Sequence, residues 1–293
     1  MKIAEAYDAF IKDRQSYCAP DTIRYYRENL ASFIKWLQSA GIDDTEQLDP
    51  EVLKNYVTYL REIRKVKNTS IHTYFRAIYA FFRWMSDEEY IQPVKYKIKL
   101  PKKNPELVLP LSRQEVDFIL DKISDTSEDP RRDELIFRLM LDCGLRRSEV
   151  INLRCRDVNR EQRLLMINDS KCNKSRIVPV PDHVLALIRY QLRDRNPDSA
   201  ETLVLLRRGG PLTRNCIKQL FERLKRRTGI RRLHPHMLRH TFGTSYMMYR
   251  GNLEYLRIYM GHETLQMTLN YVHLSLQLQL SGYEVYKIDE VFK

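Results

Sequence analysis

The sequence predicts a mostly α-helical protein with a small β-sheet, built as a helical N-terminal domain followed by a mostly helical second domain. Three observations carry this expectation. Apolar residues recur three or four apart through the first hundred residues with no strand pattern. A stretch rich in proline and lysine then breaks the periodicity. Beyond it, two short apolar runs flanking a turn-like segment interrupt a further series of helical patterns. A chain of 293 residues suits two domains at the usual ~150 each. With 43% hydrophobic residues it can bury a core in both.

The first strong helix opens near Asp21, a plausible N-cap, and carries Ile23, Tyr26, Leu30, Phe33 and Leu37 on one face, with Gly41 as its stop signal. The second carries Ile71, Tyr74, Ile78, Phe81, Phe82 and Met85, opened by Thr69 or Ser70. Weaker helices fit residues 2–13 and 50–63. Residues 1–90 thus form a helical domain. Residues 91–110 follow as a basic linker with Pro93, Pro101, Pro105 and Pro110, which resist helix. Its five lysines, Lys95, Lys97, Lys99, Lys102 and Lys103, span a segment without an acid. Such a tether can lie along a nucleic-acid backbone or be an ordinary solvated linker.

The second domain occupies 111–293. Helices fit 112–124, 131–142 and 147–153. The runs Leu164–Ile167 and Ile177–Val180 flank NDSKCNKS (168–175) and predict a β-hairpin. Helices resume at 182–194, 213–227, 235–249, 252–259 and 264–273, and a tail starts at 274. In that tail Leu274, Leu276, Leu278 and Leu280 alternate with polar residues, and Val285, Ile288 and Val291 return at helical spacing.

Lysine and arginine number 50 against 38 acids, a net charge of +12, which suits a polyanionic partner. Between Arg207 and Arg232 ten basic residues accompany one acid, Glu222; Arg207, Arg208, Arg214 and Lys218 open that run. So lopsided a cluster points to phosphate contact rather than to an alternating solvated face. The five cysteines are scattered and never spaced CxxC, as expected of reduced thiols in a cytosolic protein. No apolar run approaches the ~20 residues of a membrane span, and the acid-bearing start is unlike a signal peptide. Cytoplasmic work on the nucleoid is the expectation.

Four local patterns carry chemistry: CGLRRSEV (143–150), SKCNKSRIVPV (170–180), HPHMLRHTFGT (234–244) and MGHETLQMTLNYVH (260–273). Singly, each has a plain structural account. An arginine at a helix start or a lysine in a turn is usually surface, and a tyrosine among 18 is usually packing. His234, His236 and His240 could also suggest a metal cluster, but Arg239 among them would repel a cation and no third ligand has site-like spacing. His236 and Arg239, three apart, share one helix face.

Taken together, the patterns closely resemble the tyrosine recombinases, also called the phage integrase family, whose signature is Arg…Lys…His-x-x-Arg…His…Tyr in that order. The N-terminal NTSIHTYFRAIYAFFRWM (68–85) is similar to that family's core-binding domain, so the resemblance covers nearly the whole chain. It implies Arg146 and Arg239 as the two catalytic arginines, Lys171 as the hairpin lysine, His236 and His262 as the two histidines, and Tyr271 as the nucleophile. Ser170 and Cys172 stand where glycines often flank the lysine, which leaves Lys174 as an alternative to Lys171. The resemblance further implies a simple Xer-like type without an arm-binding domain. Its partner would be duplex DNA with an inverted-repeat core site, bound as a homotetramer on two sites, with a second recombinase or accessory protein as a further possible partner. The segment after the nucleophile commonly docks on a neighbouring protomer in such enzymes.

The residue types suit the chemistry on their own. A phosphodiester under attack gathers charge on its non-bridging oxygens, which two planar guanidinium forks can grip. Histidines move protons near neutral pH, and a lysine of lowered pKa can protonate a departing 5′ oxygen. Tyrosine attack stores the bond as a phosphotyrosine, so no ATP, metal or other cofactor is expected. The alternatives are DNA relaxation of the type IB topoisomerase kind and a catalytically silent DNA-binding protein.

Overall fold

The computed structural model describes residues 1–92, 98–102, 108–169, 174–207, 209–249 and 251–289, with the backbone alone at Asp169 and Lys174. The chain forms two compact units, residues 1–107 and 108–293.

The first unit is four helices: α1 (Ile3–Gln15), α2 (Pro20–Ser39), α3 (Pro50–Thr58, continued by a wider turn over Tyr59–Ile63) and α4 (Asn68–Asp87). The stripes foreseen on α2 and α4 meet in an aromatic core, where Phe33 lies 6.2 Å from Phe82; Phe10 of α1, 5.1 Å from Tyr26, and Tyr56 of α3, 4.9 Å from Phe33, join it edge to face. Both helices start earlier than their apparent caps. Ala19 caps α2, because Pro20 at the first helical position is preorganised for the turn. Asp21 instead places its charge at the helix N-terminus. α4 likewise starts at Asn68, ahead of Thr69 and Ser70.

The described part of the lysine-rich stretch is docked rather than free. The Tyr79 hydroxyl accepts from the Ile98 N–H at 3.2 Å, His72 Nε2 lies 2.8 Å from the Pro101 carbonyl, and Asn68 donates to the Lys102 carbonyl at 2.9 Å. Ile98 and Leu100 pack on the core, and Lys99 and Lys102 stay exposed. Lys95, Lys97 and Lys103 lie outside the described residues.

The second unit opens with α5 (Arg113–Thr126), whose Ser112 and Glu115 cap each other reciprocally, then α6 (Pro130–Leu141) and α7 (Arg147–Asn152). A three-stranded antiparallel sheet follows, ordered β1 (Val158–Asn159), β2 (Leu164–Asp169), β3 (Lys174–Pro179). Leu165 and Ile167 point into the core opposite Val178 and Arg176, while Met166 and Ile177 face out. The remaining helices are α8 (Asp182–Gln191), α9 (Arg214–Thr228), α10 (Pro235–Met248), α11 (Leu253–Met260) and α12 (Leu265–Leu280). α10 runs through the middle, buried nearly all round from Met237 to Tyr246 and packed on α6, α11 and α12.

Two readings of the C-terminal segment need correction. α12 continues to Leu280, so the four alternating leucines lie on a helix: Leu274 and Leu278, one turn apart, are buried, and Leu276 and Leu280 are exposed. After it the chain is extended rather than helical, because backbone pairing with the unit's first strand-like residues holds it. Val285 bridges Ser112, and Tyr286 N–H donates to the Leu111 carbonyl at 3.0 Å. Ile288 N–H donates to Ser245 Oγ at 3.1 Å. Val285 and Ile288 are thereby buried on their own unit, and Val291 lies outside the described residues.

Candidate active site

Four of the six expected catalytic residues converge on the C-terminal turn of α11 or on the face of α10 beside it. The sequence builds this turn simply. Asn252 caps the start of α11, and Gly261 ends it in the left-handed conformation at φ 58°. The carbonyls left without helical partners would be costly if buried alone. Here four consecutive ones each accept from an arginine. Tyr259 O accepts from Arg176 Nε at 2.8 Å, Met260 O from Arg239 Nη2, Gly261 O from Arg146 Nη2 at 2.8 Å, and His262 O from Arg257 Nη1 at 3.1 Å. Cations at a helix C-terminus also complement its dipole.

Arg239 on α10 is 6% exposed and sends its other terminal nitrogen to the Gly144 carbonyl at 2.5 Å. Burial, with Arg146 beside it, pushes its pKa down to about 9. It is therefore a cation at neutral pH, held at a cost that an arriving anion would relieve. Arg146 is the N-cap of α7. Its backbone N–H and Nη1 both donate to Glu149, at 2.7 and 2.8 Å. Glu149 also receives a two-pronged grip from Arg176, at 2.8 and 2.7 Å. Burial alone would raise the Glu149 carboxyl, but the Arg176 and Arg146 bonds hold it below its ordinary range. Arg146, Arg176 and Arg239 against one carboxylate leave two positive charges unmatched, an arrangement made for an anion.

His262 follows Gly261, is 8% exposed, and has Nδ1 2.9 Å from Thr268 Oγ1. Burial first, then Arg239 and Arg146, push its pKa down to about 4, so its ring is neutral. Tyr271 on α12 lies parallel to that ring, 9° apart with centroids at 6.2 Å, and 5.5 Å from the His240 ring. Its phenol is pushed up by burial and pulled back by Arg239 and Arg146. Beneath it is Gly243 on α10, where an added Cβ would stand 2.7 Å from the tyrosine ring. His236 lies one turn before Arg239 on α10 and keeps an exposed surface; partial desolvation of its ring by the atoms around it, then His234 and Arg239, lower its pKa. Lys171 and Arg208 lie outside the described residues, and for Lys174 only the backbone in β3 is described.

The three-histidine cluster has a different physical account. His234 Nδ1 caps α10 by accepting from Met237 N–H at 2.8 Å, and His240 Nε2 lies 2.8 Å from the Val108 carbonyl. The basic run after Arg207 also divides. Arg207 and Lys218 are exposed, and Arg214 opens α9. Arg223, however, is bound to buried Asp133 at 2.5 Å, Arg232 to Glu115 at 2.6 Å and Lys225 to Glu222 at 3.0 Å, so these three hold structure. Sequence reasoning missed Glu149 and Arg176. Glu149 had a signal, standing where a capping box places its acid. Arg176 had one too, since it shares a strand face with Val178 and Val180.

Guanidiniums, imidazoles and one phenol thus gather around one helix end, on a mostly helical frame with a small sheet. The chain belongs to the phage integrase family, which matches residues 109–277, with the phage integrase N-terminal SAM-like domain matching 7–92. It is thus a tyrosine recombinase, an enzyme of site-specific DNA strand cleavage and rejoining. It is 30% identical to tyrosine recombinase XerA of Thermococcus onnurineus over 280 residues, 93% of each chain. Against tyrosine recombinase XerC of Xanthomonas campestris pv. campestris it is 30% identical over 271 residues, 90% of this chain and 81% of that one. The fold matches the Tn1549 transposon integrase in complex with circular intermediate DNA, with a TM-score of 0.76 at 20% identity, covering 96% of this chain and 99% of that one. These relatives set aside the topoisomerase alternative.

Proposed function

We propose that Tyr271 is the nucleophile of strand cleavage and that Arg146, Arg239, His236, His262 and Lys171 serve the phosphate it attacks. The observation that carries this is the unmatched positive charge of the Arg146–Arg176–Arg239 group beside the Tyr271 phenol. The Tyr271 Oη–P bond forms as the P–O5′ bond breaks, leaving a 3′-phosphotyrosyl link. The phenolic proton passes to neutral His236, and the Lys171 ammonium supplies one to the departing O5′. Arg146 and Arg239 neutralise the non-bridging oxygens. The Thr268 hydroxyl, 2.9 Å from Nδ1, can donate to it, which leaves the His262 proton on Nε2 for a hydrogen bond to the same phosphate. Rejoining reverses these steps, so the bond energy is conserved without ATP.

The substrate is duplex DNA with an inverted-repeat core site, and the work is integration, excision, resolution or inversion in the cytoplasm. The exposed lysines Lys99, Lys102 and Lys218 and Arg207 support backbone contact, and the sequence adds Lys95, Lys97, Lys103, Lys174, Arg208 and Arg214. Four protomers assemble on two sites, with room for a second recombinase or accessory protein. Exposed Leu276 and Leu280 on α12 offer apolar surface for a neighbour to cover.

The test is Tyr271→Phe on a nicked duplex whose sequence the wild-type protein selects from a randomised library. Normal DNA affinity with no SDS-stable protein–DNA adduct is expected. An adduct of normal yield from the Phe protein would sink the assignment, and Tyr255 and Tyr259 on α11 would be next.

A further inference from the structure

We propose that Arg176, on β3, is a positioning residue for strand cleavage: it holds Glu149 and the α11 terminal turn so that Arg146 and His262 face the phosphate. The inference rests on the assignment of Arg146, Arg239 and His262 made above.

All three nitrogens of the Arg176 guanidinium are spent on the protein. Nη1 and Nη2 donate to the two oxygens of Glu149 at 2.8 and 2.7 Å, and Nε donates to the Tyr259 carbonyl at 2.8 Å. Both side chains of the pair are only 8% exposed. One planar fork therefore ties β3 to the first turn of α7 and the last turn of α11. Lysine, a point donor on a flexible stem, cannot reproduce that geometry.

Two consequences point to the reaction rather than to packing alone. The first is charge. Glu149 takes both the backbone N–H and Nη1 of Arg146. With Arg176 gone, the buried carboxylate would have Arg146 as its main cationic partner and would draw down the charge that Arg146 offers a phosphate. With Arg176 present, the carboxylate is shared. The second is space. At Gly261, φ 58°, an added Cβ would lie 3.1 Å from Arg176 Nη1 and 3.2 Å from its Cδ and Cζ. The glycine directly before His262 is thus the room that Arg176 occupies, and the guanidinium sets the turn from which His262 departs.

The test measures single-turnover cleavage and DNA affinity separately, on the nicked duplex selected by the wild-type protein. Arg176→Lys is expected to melt within a few degrees of wild type, bind DNA within about threefold, and cleave at least about tenfold more slowly. Glu149→Gln should show the same split. The double variant should be no more than about threefold slower than the slower single one, because the two act through one linkage. Cleavage by Arg176→Lys within twofold of wild type, a loss confined to affinity, or multiplying defects would each overturn the proposal. Should Arg176→Lys fail to fold, Glu149→Gln decides: slowed cleavage at unchanged affinity supports it, and a wild-type rate refutes it. Failure of the underlying assignment is distinguishable, because then Arg146→Ala and His262→Ala would cleave at the wild-type rate whatever stands at position 176.

Discussion

His262 is a group whose environment sets its protonation. Unfolded, it takes up a proton below its ordinary value of 6.5; folded, burial and the arginines around it delay uptake to about 4. Its contribution to stability is therefore fully present above pH 6.5 and is lost as the pH falls toward 4, by on the order of 2 kcal/mol. Melting temperatures between pH 4 and 7 should show this slope, and His262→Gln should flatten it; an unchanged slope would contradict the assignment. Gly243 supports a second residue-scale expectation. With its missing Cβ only 2.7 Å from the Tyr271 ring, Gly243→Ala must push α12 or the ring aside, at a cost of about 1–3 kcal/mol. Adduct yield should fall while DNA affinity holds, as a gel shift and an SDS gel run together would reveal. The residues that bear chemistry were legible because their types and order are unusual: His236 and Arg239 one turn apart, Gly261-His262 nine residues before Tyr271. Arg176 was harder to read, since its partner Glu149 lies 27 residues away and their pairing exists only once the sheet packs on α7 and α11.

At the scale of elements, α9 shows one helix divided between two tasks. Ile217, Leu220, Phe221 and Leu224 face the core, and Arg223 reaches buried Asp133. Lys218, Arg226 and Arg227 are exposed. Arg223→Ala should lower the melting temperature, because it deprives a buried carboxylate of one of its cations, and should change DNA affinity little at temperatures where the protein is folded. Neutralising Lys218, Arg226 and Arg227 together should leave melting unchanged and reduce the log–log salt slope of DNA binding by about one for each lost phosphate contact. Affinity measured from low to high salt separates the two, and an unchanged slope would make these side chains plain surface. Composition alone could not make this division, because a count of basic residues does not say which of them meet a carboxylate. Element boundaries were limited in the same way. β1 has only two residues, too few for alternation to show, and α12 ran on because its leucines fit two periods at once.

For the whole molecule, the C-terminal segment closes the second unit from the far end of the chain. Tyr286 donates to Asp142 Oδ1 at 2.8 Å, and this carboxylate, wholly buried, also meets Arg138 at 3.1 Å and His183 Nε2 at 2.9 Å. Deleting residues 282–293 removes that bond and uncovers the sites of Val285 and Ile288. The loss should be about 3 kcal/mol, visible as a lower melting temperature. If the segment is also exchanged between protomers, one-site DNA binding should survive while assembly on paired sites weakens. Gel shifts with one-site and paired-site duplexes decide: full synaptic assembly by the truncated protein would confine the segment to its own unit.

The arginine-capped turn of α11 has one more consequence, in the language of energy landscapes. Most of this chain is locally consistent, with stripes meeting stripes and caps meeting helix ends. At this turn the consistency is broken, because like charges are brought together and one is pushed to a pKa near 9. The chain tolerates this local frustration because Arg239 is buried on α10, which packs on α6, α11 and α12, and because the carbonyls at the end of α11 accept from the arginines. If Arg146 and Arg239 grip the phosphate as proposed, a seated phosphate would relieve the repulsion between them. Folding thus leaves in place a conflict that an anion at this turn would ease.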